Sequence, residues 1–425
     1  MTTAAPLPPD HPDRRLLADE IHARPPEELS TPVRATFVAL IVETGQRAGE
    51  QDHIAALCRR FGVTAPDPHA NHFTGDFGDV RLKWQRHGEF SSYTFFRAGL
   101  SPAPFSDPPI TRMPSDWVAA LPGQTIFAAH AKIVACDGHE PAPEYLAAHF
   151  DGNIVVGASI GQDAGMAFAD FRMHADGFSR FLLVNRSFTT RQSGRMLQRL
   201  FEIETYRMLA MLALPIARAQ AQRIGNIEQA LTHLTDDIAH QNVADETLLQ
   251  QLTHLAAEVE SCLAASQFRF SACRAYSDLV ARRIAELRES RLPGLQTIEE
   301  FMARRFTPAV ATCLSTSQRL RDLSERVGQV SALLSTRVDI AREKQNQMLL
   351  GSMNRRATLQ LRLQQTVEVI SVIPITYYVV TLIGYLAKAL AHRGVPLDVE
   401  MTEGLSVPIV GALVIWGVKR AHNRI

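Results

Sequence analysis

Cysteine is scarce in this chain, with five in 425 residues, and no two of them form a CxxC pair. Cys58, Cys136, Cys262, Cys273 and Cys313 are scattered, which excludes a disulfide framework and a thiolate metal knuckle and fits free thiols in a reducing compartment. An excess of one charge is also missing, because 44 basic and 44 acidic residues cancel. No global field exists to collect nucleic acid, so none is expected as a partner. The opening MTTAAPLPPDHPDRR has no basic stretch leading into an apolar run, so no signal peptide is expected and the N-terminal bulk should stay cytoplasmic. The chain contains no GxxxxGK[ST], no GxSxG and no HExxH. The glycines of GNIVVGASIG are not followed by a helix start at dinucleotide-binding distance. The arginines and aromatics of FRFSACRAYSDLVARR read as the core and solvated face of a helix rather than a nucleic-acid reader. We therefore expect no enzyme, no cofactor and no metal.

What is present divides the chain into parts. Residues 1–15 are proline-rich and polar and read as a flexible arm, followed by a short helix over Arg15 to His22. VRATFVALIVE, Val33 to Glu43, reads as a buried strand, and Ala48 to Gly62 as a helix with a glycine cap. DVRLKWQR and FSSYTFFR alternate apolar with polar around His87-Gly88-Glu89, which predicts a hairpin. TIFAAHAKIVA, GNIVVGASIG, GMAFADFRMHADG and FSRFLLVN supply further strands. Residues 16–187 should thus form an α/β domain with a mixed or antiparallel sheet.

After Asn185 the strands give way to helical spacing. We expect helices over Thr190 to Ile224, kinked at Pro215, over Asn226 to His240, and over Asp245 to Arg291. The seam Leu248, Leu252, Leu255, Val259, Cys262, Cys273, Tyr276, Val280, Ile284 and Leu287 steps by three and four and predicts coiled-coil-like packing. Residues 188–306 are a helical bundle or stalk. Residues 307–366 are one long helix leading into a membrane.

Two runs could span a bilayer. Val367 to Ala387 has 21 residues with Glu368 as its one charge, enough at about 1.5 Å rise per residue to cross a hydrocarbon core of roughly 30 Å. Gly404 to Val418 has only 15 residues and contains Pro408, yet a hairpin partner can be shorter. Arg355, Arg356 and Arg362 precede the first span, and Lys419, Arg420 and Arg424 follow the second. The excess of basic residues there places both chain ends in the cytoplasm. The expected architecture is α+β: a cytoplasmic α/β domain, a helical stalk and a C-terminal two-helix hairpin in an inner membrane.

A polar stripe runs down the first span. Gln360, Gln364, Glu368, Ser371, Tyr378, Thr381 and Tyr385 step by four, four, three, seven, three and four. Such a face seeks protein or water in a membrane, so it packs on the second span or a sister subunit, or it lines a pore about an oligomer axis.

DEIHARPPEEL, LQRLFEIETYRMLAMLALP, RFSACRAYSDLVARRIAELRE and SMNRRATLQLRLQQTVEVISVIPITYYVVTLIGYLAKAL occur in that order and cover nearly the whole chain. In these motifs the chain resembles a bacterial family of uncharacterised membrane-anchored proteins with a domain of unknown function. That resemblance implies membrane anchoring and assigns no catalytic residue. The order of elements is more loosely similar to CorA-type metal-ion transporters. Their Gly-Met-Asn signature is absent here: the place after the first span reads AKALAHRGVPLD, and Ser352-Met353-Asn354 lies before it.

Two clusters could carry chemistry. Asp19, Glu20, His22 and Arg24 could form a ligand site, with His22 as a base and Arg24 as an anion clamp. The structural reading, which density of charge alone does not displace, is a polar lock, with Arg24 on a carboxylate and Pro25-Pro26 fixing an extended exit. His69, His72, Asp76 and Asp79 have metal-ligand spacing, but Pro68, Gly75 and Gly78 predict a solvated turn. The stalk seams and polar stripe favour a homo-oligomer in the lipid bilayer, with a scaffold or sensor-like role, or ion transport as the alternative.

Overall fold

Runs rich in Val, Phe, Ala and Thr pair into a sheet in the first half of the chain. The computed structural model describes residues 8–20, 25–68, 70–240, 243–392, 396 and 398–422. In chain order these form α1 (Arg14–Glu20), β1 (Val33–Ile41), α2 (Arg47–Phe61), β2 (His72–Phe77), β3 (Val80–Arg86) and β4 (Phe90–Ala98). A 3-10 turn at Pro109–Arg112 precedes α3 (Ser115–Ala119), β5 (Gln124–Ala135), α4 (Pro143–His149), β6 (Val156–Ile160), β7 (Gly165–Ala169) and β8 (Ser179–Asn185). Helices follow: α5 (Thr190–Met211), α6 (Ala213–His240), α7 (Asp245–Leu287), α8 (Ile298–Arg305), α9 (Thr307–Ala391) and α10 (Val399–His422), with β9 (Ser290–Arg291) before α8. The fold class is α+β.

The strands form one nine-stranded sheet in the order β2-β3-β4-β1-β5-β8-β7-β6-β9. Every neighbouring pair is antiparallel except β5 and β8, which run parallel. Alternation along β1 sorts the core into two layers. Ala35, Phe37 and Ala39 face α5, where the Phe37 and Phe201 rings stack at 4.6 Å. Val38 and Leu40 face the other way, with Ile54 and Leu57 of α2, Trp84 and Trp117. Both faces are covered, so β6 and β7 are buried from end to end.

Local signals set the helix starts. Thr189 with Gln192 and Thr297 with Glu300 each close a reciprocal capping box, at α5 and α8. The chain breaks between α5 and α6 at Leu212, not at Pro215. Pro215 falls in the first turn of α6, where its missing N–H leaves no bond unmade.

The structure corrects several other expectations. Strands do not end at Asn185, because Ser290 and Arg291 pair with Ser159 and Ala158 of β6. The third helix stops at Leu287, before Arg291. His72–Phe77 is an edge strand and not a loop. The last helix is 24 residues long and extends beyond the 15-residue apolar run at both ends.

The chain divides into two compact units, Met1–Asn242 with Gln250–Val330, and Val243–Leu249 with Ser331–Ile425. The first holds the sheet and its helices. In the second, a Cβ on Gly384 of α9 would overlap the Glu403 carboxylate of α10, and one on Gly411 would meet the Thr376 methyl at 3.9 Å. Eight residues back on α9 corresponds to eight residues on along α10, so the two helices pack antiparallel. Small residues at the crossing permit that approach. Both helices are long and apolar enough to cross a membrane, with mean hydropathy of 1.9 and 1.6 in the relevant stretches. Only 6% and 11% of those stretches are buried by protein.

Candidate functional site

The second half of the DEIHARPPEEL motif forms a strap over a chamber between β3, β4 and α5. Each contact of the strap has a local cause. The Leu29 amide donates to the Thr190 carbonyl at 3.0 Å, which has a second lone pair beyond its helix bond. Arg191 donates to Glu28 at 2.7 Å. A Cβ on Gly194 would overlap the Glu27 carbonyl oxygen, so glycine is what lets the strap lie against the helix. Arg81 of β3 reaches the Glu27 carboxylate at 3.0 Å, and Lys83 donates to the Pro25 carbonyl.

The chamber floor comes from strand register. Lys83 lies opposite Thr94 and Gln85 opposite Ser92, so four polar side chains occupy one face of the β3–β4 pair. Phe37, Phe90, Phe96, Leu197 and Phe201 supply apolar walls, and Gln198, Glu202 and Thr205 of α5 the polar ceiling. The free space is about 40 Å³, room for roughly two to four waters. Lys83 is 6% exposed, and burial pulls its ammonium below the usual lysine range against the opposing pull of Glu27 and Glu202. Glu202 accepts from Gln198 at 2.7 Å and from Arg283 of α7. The Gln85 amide nitrogen is buried without a partner. The chamber can therefore order water or a small polar guest by hydrogen bonds, with an amine and two carboxylates to fix its orientation.

The sequence candidates are placed as follows. Asp19 and Glu20 close α1, while His22 and Arg24 lie outside the described residues. His69 also lies outside them. Asp76 pairs with Arg81 at 2.7 Å and Asp79 with Arg97 at 2.6 Å, so these acids already hold arginines. Among the described residues no group of three His, Cys, Asp or Glu is arranged to hold a metal ion. Gln360, Gln364, Tyr378 and Tyr385 are exposed on α9, with Ser371 and Thr381 half-buried, and Glu368 on the same helix. The Ser371 hydroxyl donates to the Val367 carbonyl at 2.7 Å and Thr381 to Tyr377 at 2.8 Å, so both bond back into their own helix.

Sequence reasoning missed Lys83, Gln85 and Glu202. The alternation of Leu82 and Trp84 with Lys83 and Gln85 was the available signal for a two-faced strand. It identifies the hairpin but not the helix that roofs its polar face.

Residues 9–425 match the family described as "Protein of unknown function (DUF3422)", and the chain belongs to that family. No curated protein and no solved structure matches it.

Proposed function

We propose that this is a membrane-anchored protein whose sheet-containing unit works outside the bilayer as a scaffold or sensor, without catalysis of its own. The observation that carries this reading is the exposure of α9 and α10. Ile373 is 73% exposed and Val369 70% exposed, in stretches that protein covers by no more than 11%. An apolar surface of that extent needs lipid or another chain. The basic flanks support an inner-membrane hairpin with both ends cytoplasmic. The exposed apolar residues Met348, Leu349, Leu350 and Met353, ahead of the span, support self-association of α9.

The test is alkaline carbonate extraction of membranes from cells making the full chain. Retention in the pellet is the expected result, and release into the supernatant contradicts anchoring. A second reading, an ion pathway on a CorA-like plan, draws support from the polar stripe of α9. The back-bonded hydroxyls of Ser371 and Thr381 weaken it, because neither needs a water-filled pore to be satisfied. Under that reading Ser371→Leu or Thr381→Leu lowers ion flux in proteoliposomes; unchanged flux removes it.

A further inference from the structure

On the sheet face away from α5, strand register sets two like charges side by side. Arg34 of β1 lies directly opposite Lys132 of β5, and both are 7% exposed. Like charges opposed on neighbouring strands repel, and burial removes the water that would screen them. Arg34 is compensated: it donates to the Asp107 carbonyl at 2.8 Å and pairs with the Asp107 carboxylate at 3.3 Å. Lys132 is not. Among the described residues no carboxylate lies within ion-pair distance of it, and its one polar neighbour is His149 Nε2 at 3.4 Å. The His149 Nδ1 faces the Tyr145 carbonyl at 2.7 Å, so that nitrogen carries the proton and Nε2 is left to accept from Lys132. On the same face of the strand, His130 Nδ1 meets the Thr36 hydroxyl at 3.0 Å and its Nε2 faces the Asp176 carboxylate at 4.0 Å.

A small pocket opens on this group. Arg34, His130 and Lys132 line it from the sheet, and Ser101, Phe105 and Ser106 from the loop 99–113. No acid lines it. Its free space is about 10 Å³, room for roughly one oxygen-sized group. The loop is closed by an anion of its own. The Asp107 carboxylate is shared by Arg34, by Arg97 at 2.6 Å and by Arg112 at 3.1 Å. Phe105 is held between the Arg180 guanidinium, 5.5 Å from its ring centre, and the edge of His149. Phe105 and Asp107 both sit at positive φ, 55° and 51°, a backbone state that non-glycine residues hold only when their surroundings enforce it.

We propose that Lys132, with Arg34 beside it, binds the carboxylate or phosphoryl oxygens of a small molecule beneath the loop 99–113. Asp107 shows which chemistry this corner of the sheet accepts, since it fills the arginine half of the site with a carboxylate. The lysine half has no counter-charge from the chain. An oxyanion would supply it, accepting from the lysine ammonium; the Ser101 and Ser106 hydroxyls already donate to the Ala103 carbonyl, at 2.7 and 2.9 Å. The loop must lift to admit more than a single oxygen, and the Asp107 latch is the contact that would open.

The experiment is a calorimetric titration of the full chain in detergent micelles with inorganic phosphate and, separately, with acetate. We expect saturable binding of at least one; tighter phosphate assigns a phosphoryl ligand and tighter acetate a carboxylate. Lys132→Met should weaken the binding about tenfold or more, the loss of a charge-assisted hydrogen bond. Lys132→Arg should restore part of it. No saturable binding of either anion to the unaltered chain overturns the proposal, and so does equally tight binding by Lys132→Met. Should Lys132→Met melt early, the unaltered chain and Lys132→Arg decide the matter.

Discussion

The sheet unit and the α9–α10 pair use the same aliphatic residues in opposite ways. Leu182 and Leu183 on β8 are fully buried, whereas Leu382 and Leu386 on α9 are 62% and 58% exposed. In the sheet unit two helical layers cover both faces, and each buried Leu or Phe gains roughly 1.5–3 kcal/mol from leaving water. In the α9–α10 pair the described contact runs past Gly384 and Gly411, and most apolar side chains stay exposed. A chain that buries its core so completely in one place has no reason to leave the apolar stretch Val367 to Ala387 largely bare in another, unless that stretch meets a different solvent. Pro374 and Pro408 inside the two helices agree with this, because proline is tolerated in membrane helices when neighbours re-satisfy the freed backbone.

The largest effect is expected in the sheet unit. Phe181 is 1% exposed with its ring edge-on to Phe201 at 5.9 Å, and Phe181→Ala should cost about 3–5 kcal/mol in urea unfolding. Ile373→Ala, at a residue with little protein to lose, should leave that transition unmoved. Next in size is a pH effect confined to the sheet unit. Burial lowers the His130 imidazole from 6.5 to about 4, with Asp176 pulling weakly the other way. The folded state therefore prefers the neutral ring. The stability this contributes is complete above pH 6.5 and is lost as pH falls toward 4, because only the unfolded chain gains the proton. The loss is on the order of 3 kcal/mol at most, and His130→Gln should flatten that part of the pH–stability curve.

In the membrane helices the informative change is a charge. Ile373→Arg should disfavour insertion by about 2.5–3 kcal/mol in a glycosylation-mapping assay, while an arginine at exposed Met173 of the sheet unit should have no effect. The smallest effect sharpens the account of the strap. Gly194→Ala forces a methyl onto the Glu27 carbonyl, and should cost about 1–3 kcal/mol by pushing the strap off α5. Faster proteolysis near Pro25–Leu29, with the sheet unit otherwise intact, would mark that displacement.

Much of this division was legible in the chain. Val367 to Ala387 announced a helix long and apolar enough to cross a membrane, and α9 does run unbroken through it. The hairpin turn at His87-Gly88-Glu89 is where the alternation put it, with the His87 amide donating to the Phe90 carbonyl at 2.8 Å. What could not be read depended on distant partners. His72–Phe77 carries a histidine, a glycine and an acid that hide a strand, and only its place at the sheet edge makes that composition tolerable. Ser290 and Arg291 sit beside the breaker Leu292-Pro293-Gly294, and nothing local tells that they complete the far edge of the sheet. The chamber was invisible because Lys83 and Gln85 look like a wetted strand face until α5 and the strap close over them. The DEIHARPPEEL motif drew attention to its first charges, whereas its described half acts through the Glu27 and Glu28 carboxylates, on Arg81 and Arg191, together with backbone contacts at Pro25, Glu27 and Leu29.

Tryptophan fluorescence can test the contrast directly, because the chain has three tryptophans and they divide between the two regions. Trp84 and Trp117 are 0% and 3% exposed in the sheet unit, and Trp416 is 59% exposed on α10. The measurement is quenching of the full chain reconstituted in vesicles whose acyl chains carry bromine. The account predicts that brominated lipid quenches one component of the emission, that Trp416→Phe abolishes this quenching, and that aqueous iodide does not reach that component. Quenching of Trp416 by iodide with none by brominated lipid would contradict it, and α10 would then be a helix that meets water or protein rather than a bilayer.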